Sequence, residues 1–207
     1  MGFGRLSLAL TAIALGTATG AAAADSAVCA APEQAKKVQA AYLETPGRLP
    51  FMVNKALGMT EAQVASALPA DHAMGVPNTQ FTQVWDSLAK WENAVVLILA
   101  GGHTIEVYGP IHKGEPSTRS KNFNLSPEGA GMSGHLRPDL VSAIYAVAIP
   151  GKDGAKTRGV MFMDGEGKSA FSAFLPSEGA PPTAAQIAQF DATWAAMKAM
   201  PFVCTKM

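Results

Sequence analysis

Residues 140–175 read LVSAIYAVAIPGKDGAKTRGVMFMDGEGKSAFSAFL, and this stretch decides the fold. Three apolar runs, residues 140–149, 157–163 and 168–175, are separated by Lys152-Asp153-Gly154 and by Asp164-Gly165-Glu166-Gly167. Runs of this length and composition, bounded by Gly, Asp and Lys, are strand signals. Connections so short force antiparallel neighbours, because a parallel crossover needs roughly a dozen residues or more. The three runs therefore predict an antiparallel meander.

Working outward, residues 94–100 are a continuous apolar, β-branched run, and residues 103–108 alternate in polarity. The Gly101-Gly102 pair between them predicts a hairpin. Residues 110–121 are polar and irregular, residues 122–125 are a short strand candidate, and residues 126–134 are glycine-rich. Helices flank these strands. Residues 32–43 read as a short helix broken by Thr45-Pro46-Gly47, and residues 49–57 as another ending at Gly58. Thr60, with Gln63 three residues on, makes a capping box for a helix running to Leu68 before Pro69. In residues 80–91, Phe81, Val84, Trp85, Leu88 and Trp91 form an apolar stripe at helical spacing, which is a core-packing pattern. A last helix starts at Thr183, boxed by Gln186, with Ile187, Phe190, Trp194 and Met197 on one face and Pro201 beyond its end. The predicted class is α+β: an antiparallel β-sheet with N-terminal short helices and a C-terminal helix packed on it.

The first residues carry a different signature. Arg5 is the sole charge of residues 2–20, an apolar run covers residues 6–15, and small residues end in Ala21-Ala22-Ala23-Ala24. That order is a secretory signal peptide, residues 1–24, cleaved before Asp25. It leaves residues 25–207 as one domain that is periplasmic or secreted. The apolar run is too short to span a bilayer, so no membrane anchor is retained. Ser26-Ala27-Val28 before Cys29 does not fit a lipoprotein site. Lys plus Arg and Asp plus Glu are balanced at 16 each, and without a basic cluster nucleic acid is excluded as a partner. The helix pair at residues 49–68 is accordingly a packing unit, not a DNA reader. Cys29 and Cys204 lie near opposite ends of the mature chain, and an exported protein keeps disulfides. They are expected to form one bridge, which in the chain-entropy model stabilises by roughly 5 kcal/mol at most.

Few residues announce chemistry. No two of His72, His103, His112 and His135 have the spacing that presents two ligands on one helix face. His72 sits beside Asp71 in a proline-flanked loop, His103 opens a strand, and His112 lies in the polar loop. His135 closes Gly131-Met132-Ser133-Gly134-His135, whose glycines let backbone approach a ligand; a structural or surface role for His135 stays open at this point. The G-x-S-x-G of a serine hydrolase and the phosphate-binding glycine motifs are missing. Without C-x-x-C spacing, dithiol redox catalysis has no support. No carboxylate pair offers a general acid and base. The residues favour a ligand-binding domain over an enzyme.

Several stretches, taken in order, resemble the ChuX/HutX family of haem-utilisation proteins. Leu68-Pro69, Phe81-Thr82-Gln83-Val84-Trp85-Asp86 with Trp91-Glu92-Asn93, Gly131-Met132-Ser133-Gly134-His135, and Met161-Phe162-Met163-Asp164 with Gly167 and Phe174-Leu175 carry the likeness. It runs from about residue 47 to residue 200. The resemblance implies the HemS/ChuX-like fold, usually as a homodimer, binding haem (iron protoporphyrin) or a related tetrapyrrole for carriage or storage. It puts His135 at the iron, with Met132 against the porphyrin. Two departures stand out. A histidine that some members carry in the first long strand is Leu99 here, and basic residues flanking the last strand are Ser172 and Ser177. His103 or His112 is then the candidate second ligand, and Arg119, Lys121 and Arg137 the candidate propionate partners. The expected function is non-catalytic haem binding. The alternatives are a tetrapyrrole-modifying or haem-degrading enzyme and an accessory protein with another apolar ligand.

Overall fold

The computed structural model describes residues 27–126, 132–177 and 180–204. The signal peptide expected at residues 1–24 lies outside them, as does Gly131. Caps set the helix ends. Helix α1 (Pro32–Glu44) starts on a proline, and Gln34 Oε1 accepts the Ala31 N–H at 2.8 Å. Helix α2 (Pro50–Leu57) ends at Gly58. Helix α3 (Glu61–Ala67) has the expected box: Thr60 Oγ1 accepts the Gln63 N–H at 3.0 Å, and Gln63 Oε1 accepts the Thr60 N–H at 2.9 Å. A turn of 3-10 helix at Asn78–Gln80 leads into α4 (Phe81–Leu88), and α5 (Ala184–Lys198) opens on the Thr183–Gln186 box.

The strands are β1 (Ala73–Pro77), β2 (Ala94–Ala100), β3 (His103–Gly109), β4 (Gly114–Pro116), β5 (Phe123–Leu125), β6 (Gly134–Leu136), β7 (Val141–Pro150), β8 (Lys156–Asp164) and β9 (Ser169–Phe174). A six-stranded antiparallel sheet has the order β1-β7-β8-β9-β2-β3, and a small sheet the order β4-β5-β6. The predicted meander and hairpin are both present, joined through β9 and β2. Gly101 and Gly102 turn the hairpin with φ of 58° and 84°, a conformation that side chains with a Cβ disfavour.

Strand β7 shows why the central run is apolar throughout. Ile144, Ala146 and Ala148 enter one core with α4, α5 and the small sheet, while Ala143, Tyr145, Val147 and Ile149 enter another beneath α1, α2 and α3. Both faces are covered, so polarity cannot alternate. The first core holds an aromatic cluster in which Phe81, Trp85, Phe123 and Phe162 are buried and Phe171 stacks on Phe162 at 4.4 Å. Its polar centre is Thr193, whose Oγ1 accepts from Ser87 Oγ at 2.6 Å and from Trp91 Nε1 at 3.0 Å. Cys29 and Cys204 form the expected disulfide, their Cα atoms 5.7 Å apart. The fold class read from the sequence holds, with two refinements: helices lie on both sheet faces, and β1, β4 and β6 extend the strand set.

Candidate functional site

The small sheet carries the candidate site, and its core-facing residues hold it in place. Phe123 and Leu125 are buried, and the Phe123 ring packs edge-on against Phe81 at 5.3 Å and Trp85 at 6.0 Å. Side chains alternate across a strand, so Asn124 must face outward. Register sets Asn124 opposite Glu115 on β4 and opposite His135 on β6, a polar row across the outer face. His135 is exposed, and its Nδ1 lies 2.8 Å from Asn124 Oδ1. An amide oxygen only accepts, so Nδ1 is the donor of this pair and Nε2 is the ring nitrogen left for a ligand. This is the arrangement that orients a ligating imidazole.

Met132 and Leu136, on either side of His135 in sequence, pack against the aromatic core together with Ile98, Val107 and Phe171. All five are half-buried. Two residues beyond His135, the Arg137 fork grips Asp139, with Nε to Oδ1 at 2.7 Å and Nη2 to Oδ2 at 2.8 Å. Lys121 Nζ reaches the same carboxylate at 3.5 Å. The Arg137 hydrogen bonds, with the Arg137 and Lys121 charges, hold the Asp139 carboxyl down at about 2, and Asp139 in turn pushes the Arg137 guanidinium up. The structure thus brings Arg137 and Lys121 together through a residue that the sequence reading did not single out.

Other expected residues stand elsewhere. His103 is exposed at the start of β3, beside the hairpin turn. His112 lies between β3 and β4; its carbonyl accepts the Trp85 Nε1–H at 3.0 Å, and it lines an open cleft of about 380 Å³ with Lys90, Trp91 and Ile111. Among the described residues, no group of three or more His, Cys, Asp or Glu side chains is placed to hold a metal ion. Leu99 pairs across the hairpin with Thr104, and Ser172 is buried, bonded to Ser169 at 2.7 Å. Asn124 and Asp139 are the site residues that sequence reasoning missed. The Phe-Asn-Leu alternation at 123–125 and the Arg-Pro-Asp spacing at 137–139 were the available signals.

Residues 74–193, from β1 to α5, match the family model for haem utilisation ChuX/HutX. The chain belongs to the ChuX/HutX family. A curated relative, the intracellular heme transport protein HutX of Vibrio cholerae, is 25% identical over 132 residues, which cover 64% of this chain and 67% of that protein. Among solved structures, the heme binding protein ChuX superposes with a TM-score of 0.67 at 23% identity, covering 80% of this chain and 99% of its own. The heme degrading enzyme ChuS of Escherichia coli O157:H7 gives 0.62 at 18% identity, and the match covers 81% of this ChuX/HutX chain and 48% of ChuS. These likenesses show that the fold is the one ChuX and ChuS share. The comparisons also correct one expectation. The relative from Vibrio cholerae is intracellular, which overturns the periplasmic or secreted placement drawn from residues 1–24. That placement stood only on the order of a basic residue, an apolar run and small residues at 5–24. Among the described residues, no helix is long and apolar enough to cross a membrane.

Proposed function

We propose that this protein binds haem or a haem-like tetrapyrrole for carriage or storage, without chemically altering it, and that His135 ligates the iron through Nε2. The Asn124–His135 hydrogen bond carries the reading. A neutral imidazole whose Nδ1 proton is held by an acceptor is a good axial donor, and exposure leaves the other nitrogen accessible. Family membership and the haem-transporting relative support the ligand class. Met132, half-buried three residues before His135, suits one face of a porphyrin. Lys121 and Arg137 suit its propionates, which would share the two cations with Asp139. The haem iron, when bound, would contribute the coordination bond and the visible absorbance.

Titrating haem into the purified full chain while recording its visible spectrum tests this. The expected result is a saturable Soret band that shifts in His135→Ala, with binding weaker by about tenfold or more, or at least 1.4 kcal/mol. Asn124→Ala is expected to weaken binding less, because it removes the orienting acceptor and not the ligand. Addition of ascorbate should leave the band intact; its decay with formation of ring-opened pigment would assign the enzymatic alternative. An unchanged spectrum and affinity in His135→Ala would remove His135 from the iron.

A further inference from the structure

Beyond α5 the chain returns to the edge strand β1. Val203 N–H donates to the Gly75 carbonyl at 2.9 Å, and Cys204 is bonded to Cys29. The Tyr145 hydroxyl beneath them donates to the Val28 carbonyl at 3.0 Å and lies 3.2 Å from Cys204 Sγ. Position 75 has to be glycine here, because a Cβ would stand 2.5 Å from the Tyr145 ring and 2.8 Å from the Val203 side chain. The segment is thus fixed at three points.

Between this segment, β1 and α5 is a cavity of about 720 Å³, on the opposite sheet edge from β3. Its volume falls within the range of about 300–1,000 Å³ that small-molecule sites occupy. Met74, Trp194 and Phe202 supply its apolar surface, and Lys198 and Asp71 its charges. Phe202 is 55% exposed although the residues after it are anchored, so its ring is held at the cavity without being buried by the fold. No carboxylate among the described residues comes within 4.0 Å of the Lys198 ammonium, so neither Asp71 nor any other described acid pairs with it. A ligand would therefore meet an apolar wall, the unpaired Lys198 ammonium and, apart from it, the Asp71 carboxylate.

We propose that this cavity is a second ligand site, for a carboxylic acid with an elongated apolar body. The body lies against Met74, Trp194 and Phe202, and the carboxylate meets Lys198. None of these residues belongs to the small sheet that carries His135, so the site stands independently of the haem reading.

Equilibrium dialysis of the disulfide-intact full chain against radiolabelled palmitate tests the proposal. Saturable binding of one equivalent is expected, weakened about fivefold or more in Lys198→Met as an ion pair at a partly apolar site is lost. Hexadecanol, which lacks the charge, should bind wild type and Lys198→Met alike. Phe202→Ser should weaken palmitate about tenfold, as expected for loss of a phenyl contact. Phe202 is exposed, so that variant should keep the wild-type circular dichroism, and both variants should keep the wild-type haem titration. Absence of saturable binding, unchanged affinity in both variants, or release of palmitate by one equivalent of haem would overturn the proposal.

Discussion

Glu61 opens α3 with its carboxylate buried beneath the helix, where it accepts the Ser169 N–H at 2.9 Å. Burial raises its pKa, and the Asp164 charge adds to the rise; the Ser169 bond and the Lys168 and Lys55 charges only partly oppose it. A raised native pKa means that the folded state holds the proton more tightly than the unfolded chain. This contribution to stability is complete below the ordinary carboxylate value and is lost as pH rises through the raised one. Glu61→Gln keeps an oxygen for Ser169 and cannot ionise. The variant is expected to match or exceed wild type in urea unfolding at about pH 7, with its advantage shrinking toward about pH 4. Parallel stability curves across that interval would show that the burial of Glu61 has no energetic consequence.

At the scale of elements, the two capping boxes predict unequal costs. Thr60 Oγ1 accepts the Gln63 N–H and also donates to the Ala27 carbonyl at 2.6 Å, joining α3 to the segment before α1. Among the described residues, the Thr183 side chain makes only its cap. Thr60→Ala should cost about 2 kcal/mol and Thr183→Ala about 1 kcal/mol in equilibrium urea unfolding. Equal costs would mean that the Ala27 bond contributes nothing. Both boxes, the hairpin and the meander were legible because each is a local pattern of a few residues. The helix expected over residues 80–91 stops at Leu88, where the chain tightens into bonds from Lys90 N–H to Ser87 and from Trp91 N–H to Leu88, and Trp91 reaches Thr193 from beyond the helix. Strand β1 was invisible: Ala-Met-Gly-Val-Pro is buried on both faces and contains the two residues that punctuate strands. Strands β4 and β6 have three residues each, too few for periodicity. The same limit hid half of the site. His135 stood out by its glycines and by resemblance, but Asn124 becomes its partner only through β5–β6 register, which no local pattern encodes.

For the molecule as a whole, the homodimer implied by resemblance remains a proposal, and β3 is the surface that suits it. It lies at the edge of the six-stranded sheet and, among the described residues, pairs only with β2. Ile105 is 50% exposed and Tyr108 47% exposed. An unpaired edge with exposed apolar side chains invites a second strand. Light scattering at micromolar concentration should give twice the monomer mass, and Ile105→Lys should reduce it to one. A monomeric wild type would remove the dimer, and a dimeric Ile105→Lys would move the interface off this edge.

The Cys29–Cys204 bond spans 175 positions and turns almost the whole described chain into a covalent ring. A ring must be cut twice before it falls apart. Trypsin acting at Lys152, exposed at the tip of the β7–β8 turn, would leave one band on a non-reducing gel and two on a reducing gel. The nick would also leave each strand beside its partners, since the turn contributes nothing to either core. The same closeness of the two chain ends makes the molecule a candidate for circular permutation. Residues 29 and 204 could be joined by a short peptide and new ends opened at Gly151–Gly154, with every pairing of the sheet retained.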